Sequence, residues 1–148
     1  MSKKARFPDD YLPYLVARAS FVILRDFHAL LKPRKMRVPE WRVLATLSAG
    51  GAFTVGALAR ATLFKQPTLS KLLDRLEQRG LVRRVAGGMD LRHSRVELTA
   101  RGRKRIAPVV AQARRREKAV LKRYRASDVR VFKRLLKAFT KGFDPNSG

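Results

Sequence analysis

The chain has 148 residues, of which 35 are Lys or Arg and 11 Asp or Glu, a formal net charge of +24; it contains no cysteine. That length predicts one domain with a real core, and 45% hydrophobic with 31% charged residues fits a folded protein rather than a disordered one. Without cysteine, disulfides, thiol redox sensing and cysteine–zinc sites are excluded. No apolar run reaches the roughly eighteen residues of a membrane span. The opening MSKKARFPDD lacks the apolar stretch of a secretory signal, so the expected location is the cytoplasm. So large a positive charge calls for a polyanionic partner, most commonly nucleic acid. A membrane surface would favour one amphipathic basic helix, whereas here the excess runs along the whole chain.

In chain order, Asp9 and Asp10 precede a segment with Pro13 in its first turn. From Tyr11 to Leu31, the residues Leu12, Leu15, Val16, Ala19, Val22, Ile23, Phe27 and Leu30 recur at helical spacing. Asp26 falls on that same face, so it is either a buried acid with an arginine partner or a sign that the helical phase differs from this one. Tyr14, Phe21, Arg25 and His28 gather on another flank, so this helix is expected to be held from two directions, by its own domain and by a second subunit. After a basic loop, Pro39 opens a helix to Ser48, ended by Gly50-Gly51. Thr54 is the expected N-cap of a short helix from Val55 to Ala61. Pro67 opens another that runs to Arg79 and closes at Gly80. These helices and their tight connection read as a helix-turn-helix.

Leu81–Val85 and Arg95–Leu98 are expected strands, with Gly87-Gly88 in the loop between them. Helix-turn-helix followed by strand, loop and strand makes a winged helix. Thr99 should cap a long basic helix from Ala100 to Arg125 that contains Pro108, where a kink is expected. Ser127 is the expected cap of a last amphipathic helix with Val131, Leu135, Leu136 and Phe139 on one face. The fold expected is mainly α with a small β-hairpin wing. A core over 39–99 lies between helical segments at 10–32 and 100–142.

The stretch Leu58-Ala59, then Gln66-Pro67-Thr68-Leu69-Ser70-Lys71-Leu72-Leu73-Asp74-Arg75-Leu76-Glu77, then Arg79-Gly80-Leu81-Val82 and Arg84, resembles the MarR family of bacterial transcriptional regulators. So does the following Asp90-x-Arg92-x3-Val96-x-Leu98-Thr99-x2-Gly102. The resemblance is strong over about Pro39 to Gly102. It implies a homodimer of winged helices, held by the first and the last two helices, that binds a pseudo-palindromic operator. Many members are repressors released by small aromatic or acyl ligands. Two departures stand out. Thr62 and Leu63 occupy a turn that often carries an apolar residue and a glycine, and Arg130 stands where a capping-box Glu after Ser127 would be.

Leu69, Leu72, Leu73 and Leu76 share one helical face and belong to the core, which turns Ser70, Lys71, Asp74 and Arg75 outward. A helix docked in the major groove reads bases with its N-terminal residues, so Gln66, Thr68, Ser70 and Lys71 are the expected readers and Arg75 a phosphate contact. Arg92 at the wing tip suits a narrow minor groove, with Asp90 holding an arginine side chain and His93 and Arg95 touching phosphates. Phe21, Arg25 and His28, with Trp41 and Arg42, are candidates to hold a small aromatic or acyl carboxylate, although Trp41 alone more often belongs to a core. His28 and His93 lack carboxylates at a ligand spacing, so neither a metal nor another cofactor is expected. No glycine-rich phosphate loop or Ser/His/Asp pattern suggests an enzyme. A DNA-coating protein of nucleoid type would share the charge and stays open as an alternative.

Overall fold

The computed structural model describes residues 7–86 and 94–146, which divide into two compact units, 1–37 and 38–148. In the first unit, α1 spans Leu12–Leu31 with Pro13 in its first turn. A 3-10 turn, Lys32–Arg34, follows, and Lys35 takes a left-handed conformation at φ 49°. Of the apolar series in α1, Leu12, Leu15, Val16, Val22 and Ile23 are exposed. Of the two alternatives for Asp26, burial does not hold: its side chain is exposed.

The second unit runs α2 (Val38–Ser48), β1 (Phe53–Thr54), α3 (Val55–Thr62), α4 (Gln66–Gln78), β2 (Val82–Val85), β3 (Arg95–Leu98), α5 (Ala100–Leu121) and α6 (Ala126–Thr140). Thr54 caps α3 as expected, accepting a hydrogen bond from the Ala57 amide at 3.2 Å. The strands form an antiparallel sheet in the order β1-β3-β2, with Phe53 opposite Val96 and Val82 opposite Leu98. A two-residue β1 is too short to print an alternation in the sequence, so the third strand is new information.

Val43, Leu44 and Leu47 of α2 are buried together with Leu58, the four α4 leucines, Val82, Val96, Leu98, Ile106 and Val109. Burying each such side chain stabilises by about 1.5–3 kcal/mol, and this core fixes the face that α4 turns outward. Among the described residues, no helix is long and apolar enough to cross a membrane.

The junction to α5 explains the end of the second motif. Thr99 Oγ1 donates to the Gly80 carbonyl at 2.6 Å and accepts from the Gly102 amide at 2.9 Å, so one hydroxyl ties the end of the recognition segment to the start of α5. A Cβ on Gly102 would lie 1.9 Å from the Leu81 carbonyl oxygen; only glycine lets the helix come this close.

α5 continues through Pro108 and ends at Leu121, four residues earlier than Arg125. At α6 the expected cap is corrected. Arg125 holds the N-cap position without a side-chain bond, and Ser127 lies inside the first turn with Asp128. The acidic Asp128 near the helix's positive end replaces the missing capping box.

Candidate nucleic-acid interface

α3 and α4 are joined by Leu63, Phe64 and Lys65. Leu63 takes φ 59° and ψ 33°, a left-handed cap usually given to glycine. The Phe64 amide donates to the Ala59 carbonyl at 3.1 Å, and the buried Thr62 hydroxyl returns to the Leu58 carbonyl at 2.6 Å. The turn keeps its glycine-like geometry despite the two atypical residues. A buried threonine is tolerated there because its hydroxyl finds a partner within its own helix.

On α4, Leu69, Leu72, Leu73 and Leu76 are buried, while Gln66, Thr68, Lys71 and Arg75 are exposed and Ser70 is half-buried. Five of the expected contact residues therefore share one helix and its outward side. Arg75 folds back, its Nε donating to the Lys71 carbonyl at 3.3 Å. The tail reaches this helix as well. Asn146 Oδ1 accepts a hydrogen bond from the Gln66 amide at 2.9 Å, at the N-terminal end of α4.

Two carboxylates on the outer side of α4 would repel phosphate if left alone. Arg84 of β2 engages both: its guanidinium reaches Asp74 Oδ1 at 2.7 Å and Glu77 Oε2, and its amide donates to Glu77 Oε1 at 3.1 Å. The Asp74 hydrogen bond is the main cause that holds the Arg84 guanidinium above its ordinary pKa, with partial burial acting against it. This network joins the wing to the recognition helix and cancels acidic charge at the same time. Arg83 sits directly across from Glu97 in the sheet and donates to it at 2.6 Å. Arg95 is exposed on β3, opposite Val85. Asp90, Arg92 and His93 lie outside the described residues.

A further pair was not legible in the sequence. Glu40 is 4% exposed at the start of α2 and is bridged by Arg79, the residue that ends α4. Residues 39 positions apart in sequence thus anchor the C-terminal end of the recognition helix.

Of the proposed effector residues, Trp41 and Arg42 do come together. They line an open concavity of about 300 Å³ with Ala45, Thr46, Ala61, Thr62 and Leu63. Trp41 is therefore half-buried in a wall rather than a core residue. The Arg42 guanidinium lies 5.7 Å from the centre of the Phe64 ring. Phe21, Arg25 and His28 are exposed along α1 in the first unit.

Comparison with known proteins follows the same lines. A family description, MarR family, matches residues 35–93. The HTH-type transcriptional repressor Rv2887 of Mycobacterium tuberculosis is 33% identical over 128 residues, covering 86% of this chain and 92% of its own. A crystal structure of the MarR family transcriptional regulator SPO1453 from Silicibacter pomeroyi DSS-3 superposes with a TM-score of 0.80 at 36% identity, over 91% of this chain and 99% of that one. NadR, solved in complex with 4-hydroxyphenylacetate, shares the fold at 24% identity and a TM-score of 0.80, over 97% of this chain and 100% of its own. The winged helix, the exposed polar side of α4 and these likenesses agree: the chain belongs to the MarR family of transcriptional regulators.

Proposed function

We propose that this regulator is a homodimeric, ligand-responsive repressor that binds a pseudo-palindromic operator, each protomer docking α4 in a major groove. The carrying observation is the outward side of α4, with Gln66, Thr68 and Lys71 exposed above a leucine face and the nearby acids neutralised by Arg84. In this reading Gln66, Thr68, Ser70 and Lys71 contact base edges, and Arg75 and Arg95 contact phosphates. Arg92 and His93 serve the wing, with Asp90 orienting an arginine. The apolar faces of the segments 10–32 and 100–142 supply the dimer contacts. In support, α6 leaves Val131, Phe132, Leu135, Leu136 and Phe139 exposed on one face, an apolar stripe suited to a second copy.

Selecting bound sequences from a random duplex pool tests the operator. A sharp pseudo-palindrome with half-sites about one turn, roughly 34 Å, apart is expected. No enrichment would favour the DNA-coating alternative, which the repressor names of the relatives argue against. Lys71→Ala should then relax preference at defined half-site positions by about 1–3 kcal/mol, whereas Arg92→Ala should lower affinity with a modest loss of discrimination for A·T-rich flanks.

The effector proposed is a small aromatic or acyl carboxylate. The concavity at Trp41 and Arg42 combines an aromatic wall, small apolar residues and a cation, which is the chemistry such a molecule needs. NadR illustrates that this fold can hold an aromatic acid. Adding aromatic acids and their coenzyme A thioesters to a preformed operator complex tests the idea. Release by one of them that disappears in Arg42→Ala, and in Arg25→Ala or His28→Ala, with DNA affinity intact, is the expected result. Release that survives all three substitutions would place the effector elsewhere.

A further inference from the structure

The net charge runs along the whole chain, but unevenly. Residues 38–99, which contain the helix-turn-helix and the wing, hold ten Lys and Arg against five Asp and Glu. Residues 100–148 hold sixteen against three. Recognition of an operator by α4 and a wing does not account for a charge that sits mainly elsewhere.

Within α5 the charge has a direction. Gly102, Ile106 and Val109 are its buried residues and define the face that packs on α2 and β3. At 100° per residue, Arg101, Lys104, Arg115, Lys118 and, just past the helix end, Lys122 project from the opposite side, with Pro108 and Ala111 between them. All five cations are exposed, and among the described residues no carboxylate pairs with any of them. The single acid of α5, Glu117, lies on a different flank and is bonded to Lys133 of α6 at 2.6 Å. The ridge follows a 22-residue helix, about 33 Å long, comparable with one turn of duplex.

We propose that this ridge is a second, sequence-independent binding surface for the phosphate backbone of a separate duplex DNA segment. The inference rests on the operator-binding reading above and extends it: a dimer seated on its operator would capture another stretch of DNA. Several observations select this occupant. A membrane-surface helix needs an apolar face opposite its cations, and here that face is already buried in the core. A protein interface of the dimer is equally unsuited, since burying unpaired cations is costly and interface centres are depleted of charge. Finally, the ridge projects from the side of α5 opposite the residues that pack on α2 and β3, and it belongs to a different helix from the outward side of α4, so the two surfaces are separate.

The test uses the full-length dimer, an immobilised duplex bearing the selected operator, and a labelled 40-base-pair duplex of random sequence (about four turns, long enough to cover the ridge). Wild-type protein should capture the labelled duplex on the operator. The logarithm of that capture should fall with log salt by about 0.9 for each phosphate contacted. The variant Lys104→Gln/Arg115→Gln/Lys118→Gln should lose capture by at least about tenfold at 0.1 M salt, with a flatter slope. Its affinity for the bare operator fragment should stay within about twofold, and it should still sediment as a dimer, since all three side chains are solvent-exposed. Equal capture by variant and wild type would overturn the ridge. No capture by wild type, or a dependence on operator-flank length alone, would overturn the second duplex. If the wild type held no selected operator at all, the regulator reading would fail instead.

Discussion

The winged core and the helices that follow it use charge in opposite ways. In the core most acids are spent on holding parts together: Glu40 with Arg79, Asp74 and Glu77 with Arg84, Glu97 with Arg83. Three of its arginines are thereby structural. In α5 the acid is Glu117, paired with Lys133, while among the described residues no carboxylate pairs with the ridge of exposed cations. Apolar surface divides the other way, since the core buries its leucines and α6 exposes its stripe. A residue count would call both regions basic. Their ion-pair partners separate a region whose charges set geometry from one whose charges face outward.

The largest test of that division acts where the regions join. Gly102→Ala drives a Cβ into the Leu81 carbonyl, with the Leu98 side chain also close, and the backbone contact leaves little room to relax. A loss of about 3 kcal/mol is expected, read as a lower Tm or denaturant midpoint. A variant of unchanged stability would mean that α5 is not anchored on the core as described.

Next in size is Leu135→Glu. It places a charge on the exposed α6 stripe, and for an interface anchor the cost to the dimer is about 2 kcal/mol or more. Sedimentation at micromolar concentration should reveal monomer, with operator affinity falling while the winged core melts as before. A dimer that survives would move the interface away from α6.

Arg84→Met is a smaller perturbation of the core's charge economy. Asp74 and Glu77 would then face phosphate without their guanidinium, and operator affinity should drop by about tenfold, close to 1.4 kcal/mol. The fold should lose no more than about 1 kcal/mol, as exposed ion pairs contribute little. A loss that vanishes in Asp74→Asn/Glu77→Gln/Arg84→Met would assign the effect to repulsion. If it persists there, Arg84 acts by positioning the wing.

How far this was legible depended on whether the cause was local. Thr54 and Thr99 announce their caps because a side chain bonding an amide three residues on is a short-range event. The α4 leucines announce the reading face through helical period, and the family resemblance fixed the order of the elements. Gly80 announced a helix end, but the glycine spacing to Gly102 gained its physical reason only from the Leu81 carbonyl. Other features depend on chain segments meeting in space. Nothing in a run of ten cations tells which three will be paired, so the Glu40–Arg79 bridge and the Arg84 network were invisible. Ser127 failed as a cap because the helix starts at Ala126, one residue earlier, and Asp128 serves its first turn. Trp41 read as core because composition alone cannot distinguish a wall from an interior.

The smallest effect concerns the one place described where the tail of the basic region touches the reading helix. Asn146 Oδ1 accepts from the Gln66 amide, completing the start of a helix whose own N-cap residue, Lys65, offers no side-chain bond. A phosphate seeks the same end, because free amides and the helix dipole favour an anion there. If α4 docks on DNA as proposed, DNA and the tail compete for its first turn. Caps are worth about 0.5–2 kcal/mol, and an exposed one belongs at the low end. Asn146→Ala should thus raise operator affinity by about twofold and leave the dimer unchanged. Weaker binding in this variant would mean that the tail stays in place on DNA and orders the helix for it, joining the two regions in one reading surface.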